Sequence, residues 1–149
     1  MNLAQLVNWL SLAGALTFTL WRGVRTDRLG AAIIAAAYIL TPIVQWRDSW
    51  FEPQTGMMTV DILALIALIV LALRGTRKWP IVAAGFQTAA VLTHLAFLIN
   101  PHALYRAYYM ANFSIGYFIL GAMVAGVLIE PRDHQDEPRE RSHGARPVS

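Results

Sequence analysis

The feature that most constrains this chain is the segregation of its charges. Only 14% of the 149 residues are charged and 56% are apolar, and the charged residues gather in the gaps between long apolar runs. Ordinary soluble domains carry about 25% charged residues, distributed over the outer faces of their helices and strands. Here residues 4–21, 29–46, 57–73, 80–99 and 106–129 read as five apolar runs. Each is near the ~20 residues that an α-helix needs to cross a bilayer. A soluble fold would need five helices that are hydrophobic on every face. The expectation is an all-α integral membrane bundle of five transmembrane helices in residues 1–129, followed by a disordered tail over residues 130–149.

Prolines mark the helix ends. Pro80 falls at the first helical position of the fourth run, where its missing N–H is harmless, and Asn100-Pro101 and Glu130-Pro131 close the fourth and fifth. Pro42 lies inside the second run and is expected to bend it. Orientation follows from the loops. Arg22, Arg25 and Arg28 lie in the first, Arg74, Arg77 and Lys78 in the third, and Arg132, Arg139, Arg141 and Arg146 in the tail. Ten of the 12 basic residues therefore share one side. By the positive-inside rule that side is cytoplasmic, with the N-terminus periplasmic in a bacterial inner membrane. Trp21 and Trp79 are read as markers of the inner interface, Trp46 and Trp50 of the outer one.

The net charge of +3 does not point to nucleic acid, because the basic residues sit at helix ends as topology signals. The absence of cysteine excludes thiolate metal sites, iron–sulfur clusters and thiol nucleophiles. No basic residue precedes the first apolar run, so it reads as a retained helix rather than a signal peptide. The tail holds four Arg, five acidic residues and three Pro with almost no apolar residue, a composition that does not fold alone.

Each run carries a stripe of polar or small residues at helical spacing. The stripes are Asn8-Ser11-Ala15-Thr19, Ala31-Ala35-Tyr38-Thr41-Gln45, Asp61-Ala64-Leu68-Ala72, Ala83-Gln87-Ala90-His94 and Tyr105-Tyr109-Asn112-Gly116. Small residues on such stripes let helices approach, and Ala122 and Gly126 form a further small-xxx-small pair for packing or dimerisation. Once the runs are oriented, most of the embedded polar groups fall in the outer half, which suggests a polar cup facing the periplasm.

Asp61 and His94 are the only ionisable residues, tyrosines aside, well inside the runs. At 1.5 Å per residue they lie about 6 and 8 Å below the outer ends of their helices, so a pair between neighbouring helices is geometrically reasonable. Such a pair binds a proton, a cation or a ligand's polar head, or else fixes helix register. The candidate ligand-binding residues are Asp61, His94, Gln45, Tyr109, Asn112 and Gln87. Tyr108 reads as part of an interfacial aromatic belt. No cofactor is indicated. Haem lacks a second embedded His, and Asp61, His94, His102 and Glu52 have the ligand types for zinc without ligand-like spacing. No catalytic motif or phosphate loop is present.

Five spans in about 150 residues with several Trp resemble, in topology, the tryptophan-rich sensory proteins of the translocator-protein family. Their Trp-x-Pro-Pro motif is missing, since Trp79-Pro80 is the only Trp-Pro and no second Pro follows. Val60-Asp61, Trp79-Pro80, Ala84-Gly85-Phe86-Gln87, Thr93-His94-Leu95-Ala96 and Ala107-Tyr108 are similar to short uncharacterised multi-pass proteobacterial membrane proteins. That resemblance covers Val60 to Gly121 and implies no activity.

The leading functional expectation is a non-enzymatic accessory or ligand-binding protein, whose partners are the bilayer, a lipid, quinone or other small apolar molecule, and a second copy or another membrane protein. The alternatives are a membrane enzyme acting on a lipid or isoprenoid, with His94 as base oriented by Asp61, and a subunit of an oligomeric channel or transporter.

Overall fold

The computed structural model describes residues 3–45, 55–99 and 101–130, without the side chains of Ala4, Gln45 and residues 101–106. The expectations for Trp46, Trp50, Glu52 and the tail beyond Glu130 lie outside the described residues, and those for Gln45, His102 and Tyr105 fall on side chains that are not described. Five helices follow one another: α1 (Leu3–Arg22), α2 (Arg25–Gln45), α3 (Thr55–Arg74), α4 (Trp79–Ile99) and α5 (Pro101–Ile129). Their boundaries match the apolar runs to within a few residues, except that α5 begins earlier, at Pro101. The arginine-rich segment before α2 is also helical from Arg25 on. Among the described residues, Arg25–Val44, Thr55–Arg74, Trp79–Ile99 and Ala107–Ile129 are long and apolar enough to cross a membrane. α1 has 20 residues and carries Gln5, Asn8 and Ser11 in its first half.

The helices form a closed ring in which each packs on its chain neighbours and α1 closes the circle between α2 and α5. The core is made by Leu12, Ala31, Ile34, Leu68, Trp79, Ala83, Ala84, Ile119, Leu120 and Met123, drawn from all five. Large apolar side chains such as Leu73, Leu92, Phe118 and Leu128 point outward, as a lipid-facing surface requires. α2 stays helical through Pro42, and the hydroxyl of Thr41 bonds back to the Ala37 carbonyl at 2.8 Å. The stripe on α4 is its buried face, since Ala83, Gln87, Ala90 and His94 are all buried. On α3 the buried face is Val60, Ala64, Leu68 and Leu71, which leaves Asp61 at its edge. Thr19 is fully buried, and its hydroxyl has no hydrogen-bond partner.

One end of the ring is tied by a buried polar knot that sequence patterning does not reveal. Asp27, on the first turn of α2, is completely buried. Its carboxylate accepts from Arg77 Nε (3.1 Å), Arg77 Nη2 (2.7 Å), Trp79 Nε1 (2.8 Å) and the Val24 backbone N–H (3.0 Å). A carboxylate offers about four lone-pair sites, so Asp27 is saturated. Arg77 also donates from Nη1 to the Glu130 carbonyl at 2.8 Å. The Glu130 carboxylate in turn accepts the backbone N–H groups of Lys78 and Trp79, each at 2.9 Å. This caps α4. Pro80 has no N–H to satisfy, and Ile81 N–H reaches the Lys78 carbonyl. Glu130, expected to begin the tail, thus packs against the start of α4.

Trp79 is likewise no interfacial marker. It is 3% exposed, and its indole lies between Gly30 of α2 and Gly126 of α5. A Cβ at Gly30 would come within 2.3 Å of the ring and one at Gly126 within 2.5 Å, so only glycine fits either place. The Ala122/Gly126 pair thus serves intramolecular packing at Gly126. Trp21, in contrast, is 80% exposed, as an interfacial anchor would be.

Removing one partner of a buried ion pair strands the other. Arg77→Met is expected to destabilise the protein by about 3–5 kcal/mol, and adding Asp27→Asn to recover part of that loss. Thermal unfolding in detergent checks the cycle; additive losses would contradict the coupling.

Candidate functional site

At the opposite end of the ring the same helices leave a space. A cavity of about 300 Å³ lies among all five of them. Ile33, Ile34, Leu68, Ile115 and Ile119 supply much of its apolar wall. Polar groups enter from every helix: Asn8 from α1, Tyr38 and Thr41 from α2, Asp61 from α3, Gln87 from α4 and Asn112 from α5. The volume is at the lower limit of small-molecule pockets, which are mostly apolar with a few placed polar groups. Gly116 contributes by lacking a side chain, since a Cβ there would sit 2.7 Å from the Tyr38 hydroxyl.

Asp61 connects this cavity to a hydrogen-bonded chain. His94 Nε2 lies 2.7 Å from Asp61 Oδ2, and Gln87 Nε2 donates to Asp61 Oδ1 at 2.8 Å. The Tyr108 hydroxyl lies 2.9 Å from His94 Nδ1. With His94 neutral and its proton on Nε2, every contact has one donor and one acceptor. Tyr108 O–H then donates to Nδ1, and Nε2–H donates to the carboxylate. His94 and Tyr108 are both 4% exposed, whereas the Asp61 side chain is 22% exposed and borders the cavity. The rings of His94 and Phe97 pack on Tyr108 at centroid distances of 5.2 and 4.8 Å.

Of the expected site residues, Asp61, Gln87 and Asn112 line the cavity. His94 stands behind Asp61 and reaches the cavity only through it. Tyr109 is not among the lining residues; its ring packs edge-on against Tyr108 at 5.3 Å. Asn112 is held by the Tyr108 carbonyl and by Thr93 Oγ1, both at 3.3 Å. Gln45 lies outside the described side chains. The residue that sequence reading misplaced is Tyr108, which is a buried partner of His94 instead of a belt residue. Its position, fourteen residues after His94 across a short turn, is the signal that pairs them. Asn8 and Tyr38 were placed on polar stripes but not at the site; both line it.

Among the described residues no group of three His, Cys, Asp or Glu side chains is placed to hold a metal ion. Comparisons with protein-family models, curated proteins and solved structures find no match for this chain.

Tyr108→Phe leaves His94 Nδ1 without its donor in a buried setting and is expected to cost about 1–3 kcal/mol of stability. In ¹⁵N spectra of the imidazole, Nδ1 should shift towards a bare acceptor while Nε2 keeps its proton. A protonated Nδ1 in the native protein would refute the tautomer assigned above.

Proposed function

We propose that this protein binds a small, largely apolar molecule within the membrane. The carrying observation is the cavity of about 300 Å³ to which all five helices contribute, with its polar groups set in an apolar wall. All five helices span in this reading, α1 included, because Asn8 and Trp9 face the cavity and its apolar flank faces lipid. The knot formed by Asp27, Arg77 and Glu130 lies at the cytoplasmic end, beside the arginine-rich loops. The cavity and the N-terminus then face the periplasm, and the chain is an inner-membrane protein with a cytoplasmic tail.

Lipid fragments, quinone-like rings and other compact apolar molecules are the ligand classes that match the wall. The enzymatic alternative draws less support, because both ring nitrogens of His94 are engaged, by Asp61 and Tyr108. A general base needs a nitrogen within reach of a substrate proton. A path through a single chain draws less support, because among the described residues Leu68, Ile119 and Met123 fill the ring; a path between copies in an oligomer is a separate case.

Ala37 borders the cavity from α2, and Ala37→Phe would place a bulky ring in it. Native mass spectrometry of the detergent-purified protein is expected to show a bound small molecule in the wild type that Ala37→Phe loses while keeping its unfolding temperature. Equal spectra, with only bulk lipid on both, would reject the reading. Orientation is checked separately, since the chain has no native cysteine. Thr55→Cys should react with an impermeant maleimide on intact cells, and Arg25→Cys only after permeabilisation.

A further inference from the structure

The two buried-end carboxylates of this bundle are satisfied to different degrees. Asp27 receives four donors and has no exposed surface. Asp61 has two side-chain partners, Gln87 at Oδ1 and His94 at Oδ2; its side chain is 22% exposed and it lines the cavity. A carboxylate can accept about four hydrogen bonds, so roughly half of Asp61's capacity is unused by these two side chains. The other polar lining residues leave the charge standing, because Asn8, Tyr38, Thr41, Gln87 and Asn112 are neutral. Among the described residues no Lys or Arg lines the cavity. His94 bonds Asp61 from outside the cavity, so the cavity meets Asp61 as an acceptor with no cationic side chain beside it among the described lining residues.

We infer that the ligand is an amphiphile with a compact apolar body and a protonated amine head, seated with its ammonium group against Asp61. This rests on the cavity being a ligand site, as proposed above. In a low-dielectric wall an unbalanced carboxylate favours a cation strongly, and an N–H donor fills the lone-pair sites that Gln87 and His94 leave open. An alcohol could donate to the same carboxylate, but the ammonium adds the Coulomb attraction of opposite charges, which ranks an amine above an alcohol. An acid head would place two carboxylates together and is rejected. Fatty acids and phosphate-headed lipids are thereby excluded as head-group partners of Asp61, while the apolar wall sets the body. The cavity's size limits that body to one compact ring system or short chain.

The test is equilibrium binding of three molecules that share one body: 1-aminoadamantane, 1-adamantanol and adamantane-1-carboxylate. The full-length protein is held in nanodiscs, and binding is read from the fluorescence of Trp9, which lines the cavity. Trp9→Phe identifies the signal from that indole. The amine is expected to bind about tenfold or more tighter than the alcohol and the acid weakest, the order set by the charge of the head group beside Asp61. Asp61→Asn should bring the amine down to the alcohol, and Asp61→Glu should retain the preference. Equal affinities for all three in the wild type, or an order that survives Asp61→Asn, would overturn the amine assignment while the cavity still binds ligands. If none binds and Ala37→Phe behaves as wild type, the cavity reading falls with it. The wild-type order decides the matter even where Asp61→Asn does not fold.

Discussion

The structure depends on the carboxylate of Asp27. A charge with no exposed surface survives only when every lone pair has a donor, and here the donors come from three places in the chain. Arg77 contributes a bidentate fork, Trp79 its indole N–H and Val24 its backbone N–H. Satisfying Asp27 thereby fixes where α2, the α3–α4 turn and the start of α4 lie relative to one another. Glu130 extends the same network to the end of α5 by capping α4 and accepting Arg77 through its carbonyl. Removing any partner leaves a buried group unsatisfied, and it is this penalty that makes the arrangement specific.

The knot also explains why a cavity can persist at the other end. Trp79 fills the centre of the ring next to the knot, with Gly30 and Gly126 making room for it. Towards Thr41 and Asn112 the residues of α4 that line the space are Gln87 and Ala90. The lining there includes the small residues Ala37, Ala64, Ala90 and Gly116. Small residues that would elsewhere bring helices into contact here leave space, because the helix separation is already set at the tied end.

The five helices were legible from hydropathy and proline placement, and the α4 stripe gave its buried face correctly. A pairing of Asp61 with His94 was legible only as a geometric possibility, from their matched depths, and the structure forms it. The knot was not. Arg77 and Lys78 read as topology signals, Trp79 as an interfacial marker and Glu130 as tail, since each of those roles is the common one for its residue type at a helix end. What patterning omits is that Asp27 is the only acid in an arginine-rich segment, and a lone acid at a helix start wants donors from its surroundings. Tyr108 was misplaced for a related reason. Which of two adjacent tyrosines turns inward depends on the helix's rotation, which the aromatic content of the segment does not report.

The spacing of the knot along the chain also bears on how the protein is made. Asp27 is synthesised fifty residues before Arg77, and Glu130 comes a further fifty-three residues after that. As the chain emerges, the α2 carboxylate has only its local Val24 contact until the turn before α4 arrives. α4 then waits for the last residue of the bundle before its first amides are capped. Closure is thus a late event that reports completion: a nascent chain stalled anywhere before Glu130 leaves α4's first amides without their carboxylate cap. Quality-control machinery that recognises unsatisfied polar groups at a helix end could then tell a finished bundle from an unfinished one.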